Sequence, residues 1–192
     1  MNNGGIAQRL VNCAKVISGR MPGALAQSNV VANMLFGAIS GSGAAAAAAM
    51  GGTIGPLEEK EGYDKNYSTA VNVASAPVGM LIPPSNTMIV YSSVAGSVSI
   101  AALFMAGYIP GLLWGGAVMV LAGIMAKKRG YQAESRVPLN VALKTLWQAI
   151  PSLLLIVIVI GGILGGIFTA TEGSAIAVVY ATVLSLIYRA FK

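Results

Sequence analysis

Residues 40–43 read Ser-Gly-Ser-Gly and residues 83–87 read Pro-Pro-Ser-Asn-Thr, and each stretch interrupts a long apolar run. The first lies in a segment from Met21 to Leu57 that has no charged side chain. The second lies near the middle of an uncharged segment from Asn66 to Ala126. Glycine and proline both interrupt helices, because glycine is flexible and proline lacks a backbone donor. The pattern predicts helices that break inside apolar segments.

The composition is typical of a membrane protein. Of 192 residues, 56% are hydrophobic and only 9% are charged, against about 25% charged residues in soluble domains. Several stretches supply the roughly 20 apolar residues that a spanning helix needs. A net charge of +6 is also found in nucleic-acid-binding proteins, but here the basic residues form small clusters between apolar runs. Such clusters indicate orientation in a membrane; they are Arg9/Lys15/Arg20, Lys60/Lys65, Lys127–Arg129, Lys144 and Arg189/Lys192.

The chain has one cysteine, Cys13, and no histidine. This excludes an intramolecular disulfide and the usual Cys/His zinc sites. We expect Cys13 to be a small buried or interfacial residue. No Ser/His, Cys/His or paired-carboxylate arrangement is available for catalysis, so we do not expect an enzyme.

Residues 1–20 are predicted to form an arm helix lying in the membrane interface. They lack the apolar core of a secretory signal, because Arg9, Lys15 and Arg20 interrupt it. A solvated surface helix is the alternative. The predicted apolar face consists of Ile6, Leu10, Ala14 and Ile17.

Residues 22–57 are predicted to form a re-entrant helical hairpin with its tip at residues 40–43. Each arm would have about 16 residues and a length near 24 Å, too short to cross a bilayer. The alanine run from Ala44 to Ala49 favours close helix packing. The alternative is one continuous spanning helix with an internal glycine pair. A charged connector, which we expect to lie in water, follows: Glu58, Glu59, Lys60, Glu61, Asp64 and Lys65.

Residues 63–95 are predicted to form a broken transmembrane helix that Pro83 and Pro84 interrupt. Residues 97–129 should form a transmembrane helix with a kink at Pro110. Residues 138–192 should contain a second interfacial helix at 141–147 and two transmembrane helices. A polar loop covers residues 130–138, and a turn covers residues 166–171. This arrangement places every basic cluster on the cytoplasmic side.

The two breaks carry the groups that could bind ions. Lipid cannot hydrogen-bond peptide groups, so non-helical backbone at membrane depth lines a cavity or is buried in protein. Paired broken helices of this kind form ion and substrate sites in secondary transporters. Carbonyl oxygens, the hydroxyls of Ser40, Ser42, Ser85 and Thr87, and the Asn86 amide oxygen suit an alkali cation. Helix N-termini at the breaks would attract an anion. Taken singly, each serine is more simply a packing residue.

Two other patterns have alternative readings. Residues 41–46 fit a relaxed G-x-G-x-x-A nucleotide fingerprint, but that motif needs a preceding strand in a soluble parallel sheet. Glu172 precedes an apolar run and is therefore predicted to lie in the first turn of a helix, where the helix dipole stabilises a carboxylate. Its alternative role is an intramembrane proton carrier.

Four motifs in order along the chain resemble the large membrane subunit of tripartite ATP-independent periplasmic (TRAP) transporters of the C4-dicarboxylate/sialic acid type. The resemblance covers nearly the whole chain. The motifs are Met1–Ala7 (MNNGGIA), Phe36–Ser42 (FGAISGS), Ile82–Thr87 (IPPSNT) and Phe168–Glu172 (FTATE).

The resemblance implies an all-α membrane protein, about half of an inverted-repeat, elevator-type transporter of the ion transporter superfamily. It implies a sodium-driven importer of an organic acid in the bacterial inner membrane, with no cofactor except sodium as the coupling ion. The implied partners are a periplasmic binding protein and a small four-helix membrane subunit. The implied sodium ligands are Ser40, Ser42, Pro83, Ser85, Asn86 and Thr87. The implied substrate contacts are Ser40, Gly41, Ser42, Gly43 and Asn86.

The chain departs from the family pattern in length. Family members are more than twice as long and carry a second hairpin and a second sodium motif, so we expect a fragment or one of two chains. Alone it should not transport and should be poorly stable. Neither break contains an arginine or lysine that could bind a carboxylate. A structural or channel-like membrane protein, in which the breaks are packing kinks, is the alternative function.

Overall fold

The computed structural model describes residues 6–131 and 138–190, and in these ranges every regular element is a helix. The expected all-α class is confirmed. Residues 1–5 of the first motif, residues 132–137 of the predicted loop and Lys192 lie outside the described residues. The helices are α1 (Ile6–Ser18), α2 (Ala24–Ser40), α3 (Gly43–Thr53), α4 (Gly55–Lys60), α5 (Lys65–Ser75), α6 (Val78–Leu81), α7 (Asn86–Ala95), α8 (Ile100–Lys128), α9 (Leu139–Leu164) and α10 (Ala170–Ala190).

Helices α2 and α3 form a hairpin with its turn at Gly41 and Ser42. Gly41 ends α2 in the left-handed conformation, with φ 62°, and its N–H donates to Gly37 O at 2.7 Å. Ser42 is extended, and its side chain caps α3 by accepting from Ala45 N at 3.3 Å. Glycine adopts the left-handed region without strain, and serine is a preferred N-cap. The alternative of one continuous helix is therefore wrong. That the hairpin is re-entrant stays a prediction.

The second arm of the hairpin is shorter than expected. α3 has 11 residues and ends at Thr53, and the six-residue α4 begins at Gly55. The glycine pair at 51–52 and Pro56 explain this, because both residue types weaken a helix.

The broken helix has one more interruption than predicted. Helix α5 ends at Ser75, and the short α6 begins after Pro77, which cannot donate to the preceding turn. Residues 82–85 are not helical, and Ser85 caps α7 by accepting from Met88 N at 3.4 Å. The axis bends by 45° at this break. The predicted stop at Pro83 and Pro84 is confirmed, whereas the effect of Pro77 was not predicted.

Glycines bring the backbones of α2, α6 and α8 close together. Gly37 and Gly79 face each other so closely that a Cβ on Gly79 would lie 2.5 Å from Gly37 Cα. A Cβ on Gly107 of α8 would overlap the carbonyl oxygen of Leu81. Small residues at such crossings allow the close helix packing found in membrane proteins.

Helix α8 is also hydrogen-bonded to α2 and α5 through its main-chain carbonyls. Gln27 Nε2 of α2 donates to Met119 O at 2.9 Å. Tyr67 of α5 donates to Ala122 O at 2.8 Å. In the opposite direction, Trp114 Nε1 of α8 donates to Ala74 O at 2.9 Å. α8 therefore packs with the hairpin and the broken helix as one group.

An aromatic and ionic cluster joins the start of α5 to the end of α8. Tyr63 stacks on Tyr131 with ring centroids 4.2 Å apart. Arg129 Nη1 lies 3.1 Å from Asp64 Oδ1, and both side chains are about two-fifths exposed. Such an exposed ion pair contributes little by itself, so we attribute most of the stabilisation at this junction to the rings.

Within the described part of the chain, three helices are long and apolar enough to cross a membrane: α8, residues 140–164 of α9 and residues 170–187 of α10. The bent pair Lys65–Leu81 and Asn86–Ala95 would be a fourth span. α9 runs unbroken through Pro151, so residues 141–147 do not form a separate helix. α8 likewise continues through Pro110. The kink at Pro110 and the interfacial position of residues 141–147 stay predictions.

Helix α1 packs against α2 and α9 through Ala7, Leu10, Val11 and Ala14. Cys13 is also buried, as expected. Ile17, which we assigned to the apolar face, is 53% exposed. Ser18 takes the inward position instead, because its hydroxyl is hydrogen-bonded to Ala14 O and to the Ser28 hydroxyl.

Substituting Gly37 with alanine tests the close packing of α2 on α6. The added Cβ overlaps Gly79, so the helices must separate, and we expect unfolding to become easier by at least about 2 kcal/mol. Gly52→Ala is the matched control, because Gly52 also lies in a helix and has nothing within 4 Å of an added Cβ. It should change stability by less than about 1 kcal/mol. Thermal unfolding of the purified protein, followed by circular dichroism, measures both, and equal effects would contradict the packing.

Candidate functional site

The hairpin tip and the break in the second helix touch each other. The backbone N–H of Asn86 donates to Gly41 O at 3.4 Å, and Asn86 Nδ2 donates to Ser40 O at 3.3 Å. An added Cβ on Gly41 would lie 3.0 Å from Pro84 O. The fold therefore joins two breaks that are more than 40 residues apart in the sequence.

The serine hydroxyls at the tip are engaged in local hydrogen bonds. Ser40 Oγ donates to Ser42 O at 3.3 Å and accepts from Ser42 N at 3.4 Å. The hydroxyl of Ser42 caps α3, which fixes the shape of the turn. Both side chains are half-buried.

The break at residues 82–87 presents its side chains in different directions. Ser85 is buried, and its hydroxyl donates to Met80 O at 2.5 Å. Pro83 is also fully buried. Asn86 and Thr87 are exposed, but Thr87 lines an apolar crevice beside Leu103 and Trp114. Of the predicted ligands in this motif, only Asn86 has a side chain at the tip.

A crevice of about 330 Å³ lies where the tip, the break and the last two helices meet. Ser40, Gly41, Pro84 and Asn86 line its polar side. Its other walls are apolar residues of α2, α7, α9 and α10, together with Ser174. Ser42, Gly43, Pro83, Ser85 and Thr87 do not line it. The walls from α9 and α10 were not predicted, because no local sequence pattern indicates packing between segments so far apart in the chain.

The crevice offers neutral oxygen atoms and no charged side chain among the residues that the structure places around it. The carbonyl oxygens of Ser40 and Gly41 each accept one hydrogen bond from Asn86, which leaves a second lone pair on each. Helices α3 and α7 both begin at the two breaks, so their positive dipole ends lie there. This arrangement suits a monovalent cation close to an anion. In residues 6–131 and 138–190 no group of three His, Cys, Asp or Glu side chains could hold a metal ion.

Two alternatives from the sequence are decided by local structure. The glycine pattern at residues 41–46 follows helix α2 rather than a strand, so the nucleotide fingerprint is wrong. Glu172 Oε2 accepts from Thr169 N at 2.7 Å and from Thr169 Oγ1 at 2.9 Å. This geometry is a capping box, so Glu172 has the predicted role of a helix N-terminal carboxylate.

A buried polar cluster between α2 and α5 was not predicted. Asn33 Nδ2 lies 2.9 Å from both Asn29 Oδ1 and Asn72 Oδ1, and 2.8 Å from Ser75 Oγ. The one sequence pattern that could have indicated this cluster is the i, i+4 spacing of Asn29 and Asn33 inside an uncharged helix. Glu58 at one end of this cluster is 1% exposed. Our expectation that the whole charged connector lies in water is therefore wrong for Glu58, which packs inward because α4 folds back onto α2 and α5.

Comparison with known proteins gives related sequences along the whole chain. A family model described as "Tripartite ATP-independent periplasmic transporter, DctM component" matches residues 1–192. The protein YgiK of Salmonella typhimurium, titled uncharacterized, is 57% identical over 98% of this chain and 43% of its own length.

Two named permeases are also similar. The isethionate TRAP transporter permease protein DctMQ of Oleidesulfovibrio alaskensis is 42% identical over 96% of this chain and 29% of its own length. The C4-dicarboxylate TRAP transporter large permease protein DctM of Vibrio cholerae is 40% identical over 98% of this chain and 42% of its own length. The chain thus spans less than half the length of these relatives. It belongs to the DctM family of tripartite ATP-independent periplasmic transporter components.

Proposed function

We propose that this chain is part of the membrane permease of a sodium-coupled secondary transporter that imports an organic acid. The single observation that carries the proposal is the contact of Asn86 with the carbonyl oxygens of Ser40 and Gly41. It places neutral oxygens from two helix breaks around one crevice. Secondary transporters bind their coupling ions in such places.

The proposed cation site uses the tip residues Ser40 and Ser42 and the break residues Pro83, Ser85, Asn86 and Thr87. The main-chain carbonyls and the Asn86 side chain are the ligands that the observed contacts favour. Four of these residues do not line the crevice, so their participation requires either main-chain oxygens or a shift on ion binding; they are Ser42, Pro83, Ser85 and Thr87. Binding before movement is favourable, because uncovered carbonyls are costly to carry through lipid.

The proposed substrate is an organic acid such as a dicarboxylate or a sialic acid, delivered by a periplasmic binding protein. Relatives are named for C4-dicarboxylate and for isethionate, which are both organic anions. Ser40–Gly43 and Asn86 would contact it from one side. Because no cationic side chain lines the described crevice, the groups that bind the acid would come from the other half of the permease.

The proposed setting is the bacterial inner membrane, with a small four-helix membrane subunit as a further partner. The hairpin and the broken helix would move together in an elevator mechanism. Their mutual contacts through Gly37 and Gly79 support movement as one body.

Replacing Asn86 with alanine tests the cation site. The change removes the side-chain bond to Ser40 O and a proposed ligand, so sodium-dependent uptake by the complete transporter should fall roughly tenfold, the equivalent of one hydrogen bond. Ser93→Ala on the same helix is the control, because among the described residues the Ser93 hydroxyl bonds only to Ile89 O of its own helix. Radiolabelled uptake in proteoliposomes with correct assembly measures the effect. Unchanged uptake by the Asn86 variant would discard the site.

Substituting Gly41 with alanine, and comparing it with the same change at Gly62, distinguishes the effect of the contact at the tip from the effect of backbone strain. Gly41 and Gly62 both have positive φ, at 62° and 76°, so alanine should cost each about 1–2 kcal/mol of stability. Only Gly41 faces the second break, whereas nothing lies within 4 Å of an added Cβ at Gly62. We expect Gly41→Ala alone to raise the sodium concentration for half-maximal uptake. Equal sodium dependence in the two variants would contradict a cation site at the tip.

A further inference from the structure

A second polar site lies at the far end of the hairpin, where α4 packs between α2, α3 and α5. Glu58 is 1% exposed, whereas its neighbours Glu59 and Lys60 are exposed. Asn29 precedes Ser40 by 11 residues on α2, which corresponds to about 16 Å along the helix. The site is therefore separate from the proposed sodium site and does not depend on it.

Polar atoms from three helices meet there without hydrogen bonds of normal geometry. Both carboxyl oxygens of Glu58, Asn29 Nδ2 and Ser68 Oγ are buried and make no hydrogen bond of normal geometry among the described residues, although Asn29 and Ser68 lie close enough to Glu58 to affect its charge. Glu58, Asn29 and Ser68 line one cavity of about 340 Å³. Buried polar groups in folded proteins nearly always have hydrogen-bond partners, so the protonation state of Glu58 matters for packing at this site.

The surrounding charges do not neutralise Glu58. Helices α2 and α3 contribute no titratable side chain. From α4 and α5, Glu59 and Lys65 line the cavity, and Tyr67 interacts electrostatically with Glu58. Tyr63 of the connector also lines the cavity. No cation pairs with either Glu58 oxygen in the part of the chain that the structure describes.

A buried carboxylate without a cation partner is unfavourable, so burial shifts the equilibrium of Glu58 toward the neutral acid. Burial raises the pKa of Glu58 to about 7, although the polar side chains of Ser68 and Asn29 beside it favour the charged form and oppose the increase. A neutral carboxyl group can donate one hydrogen bond as well as accept others, which matches the mixture of groups from Asn29 and Ser68.

We propose that Glu58 is a proton-binding site that holds α4 against α2 and α5 while its carboxyl group is protonated. On deprotonation the proton passes to water in the cavity, leaving a carboxylate and a hydronium ion. The carboxylate then requires hydration, which favours separation of α4 from α2 and α5.

The direction of the pH effect follows from linkage. The carboxyl group binds protons more tightly in the closed form than in the open one, so closure is favoured at low pH and weakens as pH rises from 4.5 to about 7. Between about pH 5.5 and about pH 8, the opening equilibrium should increase on the order of tenfold.

Hydrogen–deuterium exchange of residues 54–63 in the complete transporter, in lipid nanodiscs, tests this proposal. Exchange of the native protein is compared with that of Glu58→Gln at each pH, because the ratio cancels the intrinsic pH dependence of exchange. We expect the ratio to rise about tenfold between the two pH values. Glu59→Gln is the matched control and should behave like the native protein. A ratio that does not change with pH would overturn the proposal.

Infrared difference spectroscopy detects the proton itself. A carboxylic-acid carbonyl band should be lost as pH rises, should be absent in Glu58→Gln and should persist in Glu59→Gln. Ser68→Ala removes a group that favours the charged form, so it should move the titration midpoint upward even if Glu58→Gln fails to fold. The assignment to a proton would be overturned if Ser68→Ala left the midpoint unmoved or if the band survived in Glu58→Gln. Loss of the band on adding sodium at constant pH would overturn it as well.

Discussion

Two stretches of backbone, at residues 41–42 and 82–85, leave the helical conformation, and both lie among apolar helices. Peptide groups in such surroundings need partners, because an unsatisfied group costs several kcal/mol in an apolar medium. Asn86 supplies partners across the gap through its backbone N–H and its side chain. The hairpin and the broken helix therefore depend on each other, since each satisfies polar groups that the other leaves open.

Glycine makes this mutual contact geometrically possible. Gly37 lies one helical turn before the tip, and its backbone meets that of Gly79 just before the second break. A side chain at either position would hold α2 and α6 apart and would move Gly41 away from Asn86. The hydrogen bonds between Asn86 and the hairpin tip therefore require a close contact of α2 with α6 nearby, at a point where neither helix carries a side chain.

The breaks could be predicted from sequence because their causes are local. Gly41 takes a conformation that favours glycine, Ser42 is a preferred cap, and Pro83 and Pro84 lack donors. The burial of Glu58 and the walls that α9 and α10 give the crevice depend instead on contacts between distant segments. Pro151 shows the limit of a local rule, because α9 continues through it, as apolar helices can where neighbours satisfy the freed groups. Of the predicted ligands at the second break, only Asn86 presents its side chain to the tip. The direction in which each side chain points is set by the fold and cannot be read from the residue types.

The attachment of α8 has a mechanical consequence. Its carbonyl groups at Met119 and Ala122 accept from α2 and α5, and its glycine at 107 touches the main chain of Leu81. Sliding α8 along these neighbours would break directional bonds and produce steric overlap at the same time. If the hairpin moves during a transport cycle, α8 has to move together with it. The stationary part of the transporter would then begin later in the sequence than α8.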